Sequence, residues 1–332
     1  LRDLNIRRLS SRTVGRVDAD GLQLVPIDID VSPFDNSGSS KQGVSFTYKQ
    51  HDGYAPMFAY AGTEGYLLDC ELRPGKQHCQ CGTPEFIRRS VERLKSLGLE
   101  GQCLLRLDSG NDAAENRDHC GDPRFIIKRN LRKESREQWL AMARRVGDLR
   151  ESRDGKNVYT GFVSHLHPGG DESRPCVSVA FEVIERLTDL HGQALLLPEI
   201  EVNTWWTNLP CRAETVMELY HAHGTSEPFH SELKSDLDVE RLPSGKLCAN
   251  KIILRCAMIA FNLLRTLGQE VLHRAMLAPQ KINVSRWRIK TVLQNIVYCA
   301  VRLVRHAGRT ELHFGKRPEP ALSGARRAKK RP

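Results

Sequence analysis

No uninterrupted run of apolar residues in this 332-residue chain reaches the ~18 needed to cross a bilayer. No N-terminal stretch shows the charged, apolar and small-residue order of a signal peptide. No internal repeat is visible, which sets aside solenoids and propellers. The ten cysteines are scattered, so a disulfide scaffold is not indicated, and free thiols in a reducing cytoplasm are expected. His78-Cys79-Gln80-Cys81 invites a zinc reading, but a structural zinc site needs a second ligand pair at a defined distance. Cys103 and Cys120 stand alone, so loop thiols come ahead of zinc. The first residue is Leu1 rather than Met, and a missing upstream region is expected.

What is present is charge. Charged residues make up 27% of the chain, the net charge is +10, and the mean hydropathy is −0.44 with a pI near 9.2. A soluble protein follows, with length enough for one large domain or two smaller ones. A basic balance favours partners that carry phosphate, since each Lys or Arg set on a phosphate releases a counterion.

Residues 1–24 are polar and basic and read as the remnant of an N-terminal region. Residues 25–31 alternate apolar and acidic, the period of a half-buried strand. Residues 55–61 and 65–72 are two more strands around the turn Gly62-Thr63-Glu64. Thr83-Pro84-Glu85 opens a helix, with Thr83 as cap and Pro84 at its first position. Phe86, Ile87, Val91, Leu94 and Leu97 give it an apolar face, and Gly98 ends it. Residues 102–107 return as a strand, a short polar helix follows, and 124–129 is a strand again. The order βββαβαβ is that of an RNase H-like fold, a mixed sheet flanked by helices. A charged helix is expected over 131–150. The segments around 158–163, 177–183 and 202–207 are β-rich. Helices are expected at 211–223, broken near Gly224, then at 226–236, 248–273 and 286–307. The division is therefore a core over 25–150, a β-rich insertion over 151–209, the rest of the core with C-terminal helices over 210–314, and a basic disordered tail over 315–332.

The stretch most informative for chemistry runs from Tyr220 to Lys234. Tyr220, Glu227 and Lys234 are seven residues apart and share a helix face. With His223 they resemble the Tyr, Arg, Glu, Lys signature of DDE transposases, at the same spacing but with His223 in place of the Arg. Val25-Pro26-Ile27-Asp28-Ile29-Asp30-Val31-Ser32 is similar to the family's first-Asp strand. Leu104-Leu105-Arg106-Leu107-Asp108-Ser109-Gly110 is similar to its second. His51-Asp52-Gly53-Tyr54 and Glu71-Leu72-Arg73-Pro74-Gly75 resemble the insertion-sequence 1380 family, part of the insertion-sequence 4 group. The resemblance runs from about Val25 to about Gly315.

The resemblance implies a catalytic trio of Asp30, Asp108 and Glu227. Asp28 is the alternative first member, since it faces the same way as Asp30. Taken singly, these acids also read as an exposed strand pair, a turn residue and a helix-start box. The implied cofactor is two Mg²⁺ ions, with Mn²⁺ as a substitute, because a hard cation takes carboxylate oxygen and two such ions serve phosphodiester cleavage. The implied partners are double-stranded DNA, as element ends and target, and a second copy of the chain, in a bacterial cytoplasm rather than a membrane.

Lys234, Tyr220 and His223 are the implied DNA contacts beside the trio. A solvated Lys and a core-edge Tyr are the plain alternatives. His is shorter than Arg and largely neutral near pH 7, so a weakened or inactive copy that only binds DNA is the competing reading. An RNase H-like nuclease of other purpose is a third. Trp205 and Trp206 are either a stacking platform for an unpaired base or buried sheet residues. Arg286, Arg288, Lys290, Arg302, Arg305 and Arg309, with Arg326, Arg327, Lys329, Lys330 and Arg331 of the tail, are candidate phosphate contacts.

Overall fold

A computed structural model describes residues 5, 9, 14–99, 101–120, 123–166, 177–189, 191–276, 284–298, 301–306 and 309–314. Its centre is a ten-stranded mixed sheet. The strands are β1 (Val17–Ala19), β2 (Leu22–Val31), β6 (Met57–Ala61), β7 (Tyr66–Glu71), β8 (Cys103–Leu107), β9 (Arg124–Lys128), β10 (Asp148–Arg153), β11 (Lys156–Leu166), β12 (Val177–Thr188) and β13 (Ala194–Thr207). The short strands β3 (Phe34–Asp35), β4 (Ser45–Phe46) and β5 (Asp52–Tyr54) form a small sheet of their own.

The order β7-β6-β2-β8-β9 forms the inner part. β2, β8 and β9 run parallel, and β6 and β7 are antiparallel to their neighbours. This is the RNase H-like arrangement the element order predicts. β1 pairs with β2, so residues 17–24, expected as an N-terminal remnant, partly belong to the sheet. The β-rich segment continues the same sheet. β10 to β13 form an antiparallel meander, and β13 pairs with β9 at Trp205↔Lys128. It begins at Asp148, because the charged helix expected over 131–150 is only α3 (Arg136–Val146), started by a Ser135 side chain that accepts from the Gln138 amide.

Alternation along β2 decides everything that follows. Val25, Ile27, Ile29 and Val31 face one side, where they pack with Leu105, Leu107 and helix α1 (Thr83–Ser96). Asp28 and Asp30 therefore face the other side, with Arg106 of β8. That second face carries Phe58, Tyr60, Phe229 and Leu233 on one flank and Leu104, Trp205, Val216 and Leu219 on the other. Helix α1 starts after Gly82, whose φ of 76° suits glycine, so Thr83 is not the cap. Its hydroxyl accepts from Arg73 and donates to the Cys79 carbonyl instead. A short helix α2 (Ala114–Cys120) lies between β8 and β9.

The stretch expected as two helices over 211–236 is α4 (Ala213–His221), a 3-10 turn (Ala222–Thr225), α5 (Ser226–Ser231) and a π turn (Glu232–Asp236). The long helix α6 (Leu247–Met276) covers β7 with Leu254, Met258, Phe261 and Leu264. Leu247–His273 is long and apolar enough to cross a membrane by length and composition alone, and about a third of it is buried. Lys251, Arg255 and Arg265 interrupt its apolar run. The helix expected over 286–307 is replaced by α7 (Ile289–Val292), a π turn to Val297 and a hairpin of β14 (Val301–His306) and β15 (Arg309–Phe314). Val301 and Val304 are β-branched, and the run Val301–His306 pairs with Arg309–Phe314 as a hairpin, so strand preference won over helix period.

Candidate active site

The last paired residues of β2 and β8 are Ile29 and Leu107. One step further on each parallel strand stand Asp30 and Asp108, side by side at the carboxyl ends. The two line a cleft of about 450 Å³ with Tyr48, Cys79, Gly110 and Asn111. Asp30 Oδ1 accepts from the Val31 amide at 2.7 Å. Asp108 Oδ1 accepts from Asn111 Nδ2 at 2.7 Å. Burial raises the pKa of Asp108, and the charge of Asp30 raises it further, against the pull of Asn111, His223 and Gly110. A Cβ at Gly110 would meet both Asp108 oxygens at 3.3 Å and Cys79 Sγ at 3.2 Å, so the glycine keeps the loop close to the carboxylate.

A second cleft of about 590 Å³ adjoins the first at Asp30, Val31 and Tyr48 and is walled by Glu227, His230 and Lys234. Glu227 is exposed on α5. Among the described residues no three His, Cys, Asp or Glu side chains gather closely enough to hold a metal together. The structure thus pairs Asp30 with Asp108 and sets Glu227 on the neighbouring wall. Lys234 is half-buried, donates to the Pro33 carbonyl at 2.7 Å, and has its pKa lowered by burial. Tyr220 lies near enough for Asp108 and Asp30 to add to the upward shift that burial gives its hydroxyl. The regular helix needed to stack Tyr220, Glu227 and Lys234 on one face is interrupted, yet all three remain around Asp30.

Asp28 has a different fate. Its oxygens accept from Arg106 Nε at 2.6 Å and Nη2 at 2.7 Å, and His223 Nδ1 lies 2.8 Å from Oδ1. Arg106 also donates to the Leu219 carbonyl at 2.7 Å. Burial pushes the Asp28 carboxyl up, but Arg106 and His223 outweigh it and hold it below the usual range. His223, at the position of the signature's Arg, is buried against Asp28 with its ring 5.8 Å from Tyr220. The partner geometry separates Asp28 from Asp30 where strand alternation alone does not.

Trp205 is fully buried, with Lys128 Nζ 4.4 Å above its ring. Lys128 donates to Asn203 Oδ1 at 2.6 Å, and burial lowers its pKa to about 8 despite Glu182 and Glu201. Trp206 is also buried. It donates to Asp112 Oδ1 at 2.9 Å, with Arg117 at 4.4 Å and Arg129 at 5.2 Å over its ring. Arg286 and Arg265 pair with Glu232, and Arg288 with Asp236. Residues 326–331 lie outside the described residues.

Four neighbours of the acids escaped the sequence reading: Arg106, Asn111, Tyr48 and His230. Asn111 is three residues after Asp108 and His230 three after Glu227, a spacing that could have flagged both. Tyr48, whose hydroxyl donates to the Val31 carbonyl at 3.0 Å, comes from a loop that no local pattern points to.

Residues 17–319 match the family described as Transposase DDE domain group 1. The chain belongs to that family. A cryo-electron microscopy structure of the piggyBac transposase synaptic complex with hairpin DNA is similar at a TM-score of 0.41 and 10% identity. The match covers 82% of this chain and 50% of that one, so the chain spans about half the length of that transposase. No curated protein matches.

The residues of this transposase domain fit a hard divalent cation at Asp30 and Asp108. Two carboxylates set side by side, one with its pKa raised by burial and the other's charge, are a donor set that a cation would relieve.

Proposed function

We propose that this chain cuts DNA at the ends of an insertion sequence and joins the freed 3′-hydroxyl to target DNA, with Asp30, Asp108 and Glu227 holding two Mg²⁺ or Mn²⁺ ions. The observation that carries the reading is the Asp30–Asp108 pair at adjoining strand ends in a chain of the DDE transposase family. When bound, such ions polarise the scissile phosphate and activate the attacking water or hydroxyl. The protein's own part is to fix two carboxylates with backbone and amide donors, to exclude part of the solvent by burial, and to present Lys234 beside Glu227 for a phosphate oxygen. Tyr220 borders the same acids and packs against Trp205 at 5.7 Å. A base-stacking role for Trp205 or Trp206 would require their rings to be uncovered.

The substrate is double-stranded DNA, with a homodimer acting on paired ends in a bacterial cytoplasm and affiliation to the insertion-sequence 1380 family. The test is cleavage of DNA carrying the element's ends with Mg²⁺ or Mn²⁺. Nicking by the chain and none by Asp108→Ala supports the reading; nicking that persists in the variant sinks it.

A second reading, a decayed transposase that binds DNA without cutting it, is favoured by the exposed position of Glu227 outside any three-residue donor group among the described residues. Retained DNA binding with no cleavage, and recovery of cleavage by His223→Arg, would support it.

A further inference from the structure

His230 is buried, and its Nε2 atom has no hydrogen-bond partner. Such an orphan costs free energy unless the site uses it. Nε2 lies 3.4 Å from Asp30 Oδ2, close enough for an ion pair but not aligned as a hydrogen bond. On the other side of the ring, Nδ1 is 3.2 Å from the Tyr60 hydroxyl. The imidazole is clamped by aromatic rings, with Phe58 at 5.5 Å and Tyr60 edge-on at 5.2 Å. β6 places Tyr60 opposite Asp28 and Phe58 opposite Asp30, so strand register delivers the clamp to the first carboxylate.

We infer that His230 is a positioning residue for Asp30: held by Tyr60 and Phe58, it offers a ring N–H to Oδ2 and fixes the carboxylate for a divalent cation. This deepens the proposed function and rests on it. Burial keeps the Tyr60 hydroxyl protonated well past its ordinary range, so it can donate to Nδ1. That leaves the ring proton on Nε2, facing Asp30. The Val31 amide holds the other oxygen, Oδ1, at 2.7 Å. Asp30 is then approached at both oxygens, and it lines both clefts. Hydrogen bonds to ligating carboxylates are part of a metal site, and their loss typically weakens binding by about 10–100-fold.

The test titrates Mn²⁺ alone into the full chain and follows free Mn²⁺ by electron paramagnetic resonance, with thermal unfolding measured in parallel. Asp108→Asn is the control for the site. His230→Phe keeps the aromatic packing and removes the ring nitrogen; His230→Gln returns an N–H donor. The expected result is that His230→Phe binds Mn²⁺ about tenfold more weakly at an unchanged unfolding temperature, and that His230→Gln recovers part of the loss. Binding by His230→Phe equal to the parent overturns the inference, as does an equal loss in both variants, which would mark a packing role. If His230→Phe does not fold, Tyr60→Phe decides: weaker binding supports the clamp and unchanged binding overturns it. If the parent itself binds no Mn²⁺ in a way that Asp108→Asn abolishes, the proposed function fails, and the inference with it.

Discussion

Asp28 and Asp30 stand two residues apart on one strand and face the same side, yet the protein treats them as opposites. The inner carboxylate is buried and saturated by Arg106 and His223. The outer one, with about a quarter of its side chain exposed, opens on two clefts and faces a second acid. Inside the sheet, a charge persists only when the fold supplies its partner. At the strand end, the fold sets a like charge beside it instead. The contrast separates an acid that holds the fold from the pair proposed to hold a cation.

The sharpest break of that contrast is Asp108→Asn. It removes one half of the outer pair and leaves the inner network intact. Cleavage should fall by roughly 10²–10³-fold or more, the scale for losing one preorganised charged or polar group, while DNA binding persists. Stability should move the other way. Because the folded pKa of Asp108 is raised, the native state binds its proton more readily than the unfolded chain between the unfolded and folded values. Stability therefore falls as pH rises through that window, and at neutral pH the ionised group is a burden. Asp108→Asn should unfold at a higher temperature near pH 7, and the gain should shrink on acidification.

Asp28→Asn is the inner counterpart, and its signs are reversed. It leaves Arg106 buried without its carboxylate, which should cost about 3–5 kcal/mol. The folded pKa of Asp28 is lowered. Its contribution is present above the unfolded pKa and lost as pH falls through the folded one. Denaturant melts at several pH values check both variants. If the two curves bend the same way, the division into inner and outer acids is wrong.

Much of this was legible beforehand, for a physical reason. Strand period put Asp28 and Asp30 on one face, and strand order put Asp108 beside them; both are local patterns with long-range consequences. The choice between Asp28 and Asp30 was only half legible, because Arg106 reads as one more charge until β8 is paired with β2. His223 is expected at DNA because it stands where the resembling signature has Arg, and the 3-10 turn over Ala222–Thr225 accompanies its burial against Asp28. The C-terminal hairpin stands where a helix is expected because Val, Leu and Arg at mixed spacing fit both periods over a short run.

His223→Ala tests the inner network more gently. Arg106 stays on Asp28 and one charge-assisted hydrogen bond is lost, so destabilisation of about 1.5–3 kcal/mol is expected. A larger loss, matching Asp28→Asn, would mean that His223 rather than Arg106 is the main support of the buried carboxylate.

The smallest effect belongs to Lys128, which lies over the Trp205 ring and 5.9 Å from Tyr220. Its folded pKa is about 8, below the usual lysine value, because burial disfavours the ammonium. Between that value and the unfolded one the unfolded chain binds the extra proton, so stability should rise with pH across this alkaline window. Lys128→Met removes the titrating group and keeps much of the stem that covers Trp205. The variant should lose the alkaline rise while its neutral-pH stability changes little. A rise that survives the substitution would assign the titration to another group and leave Lys128 as packing for the ring beneath it.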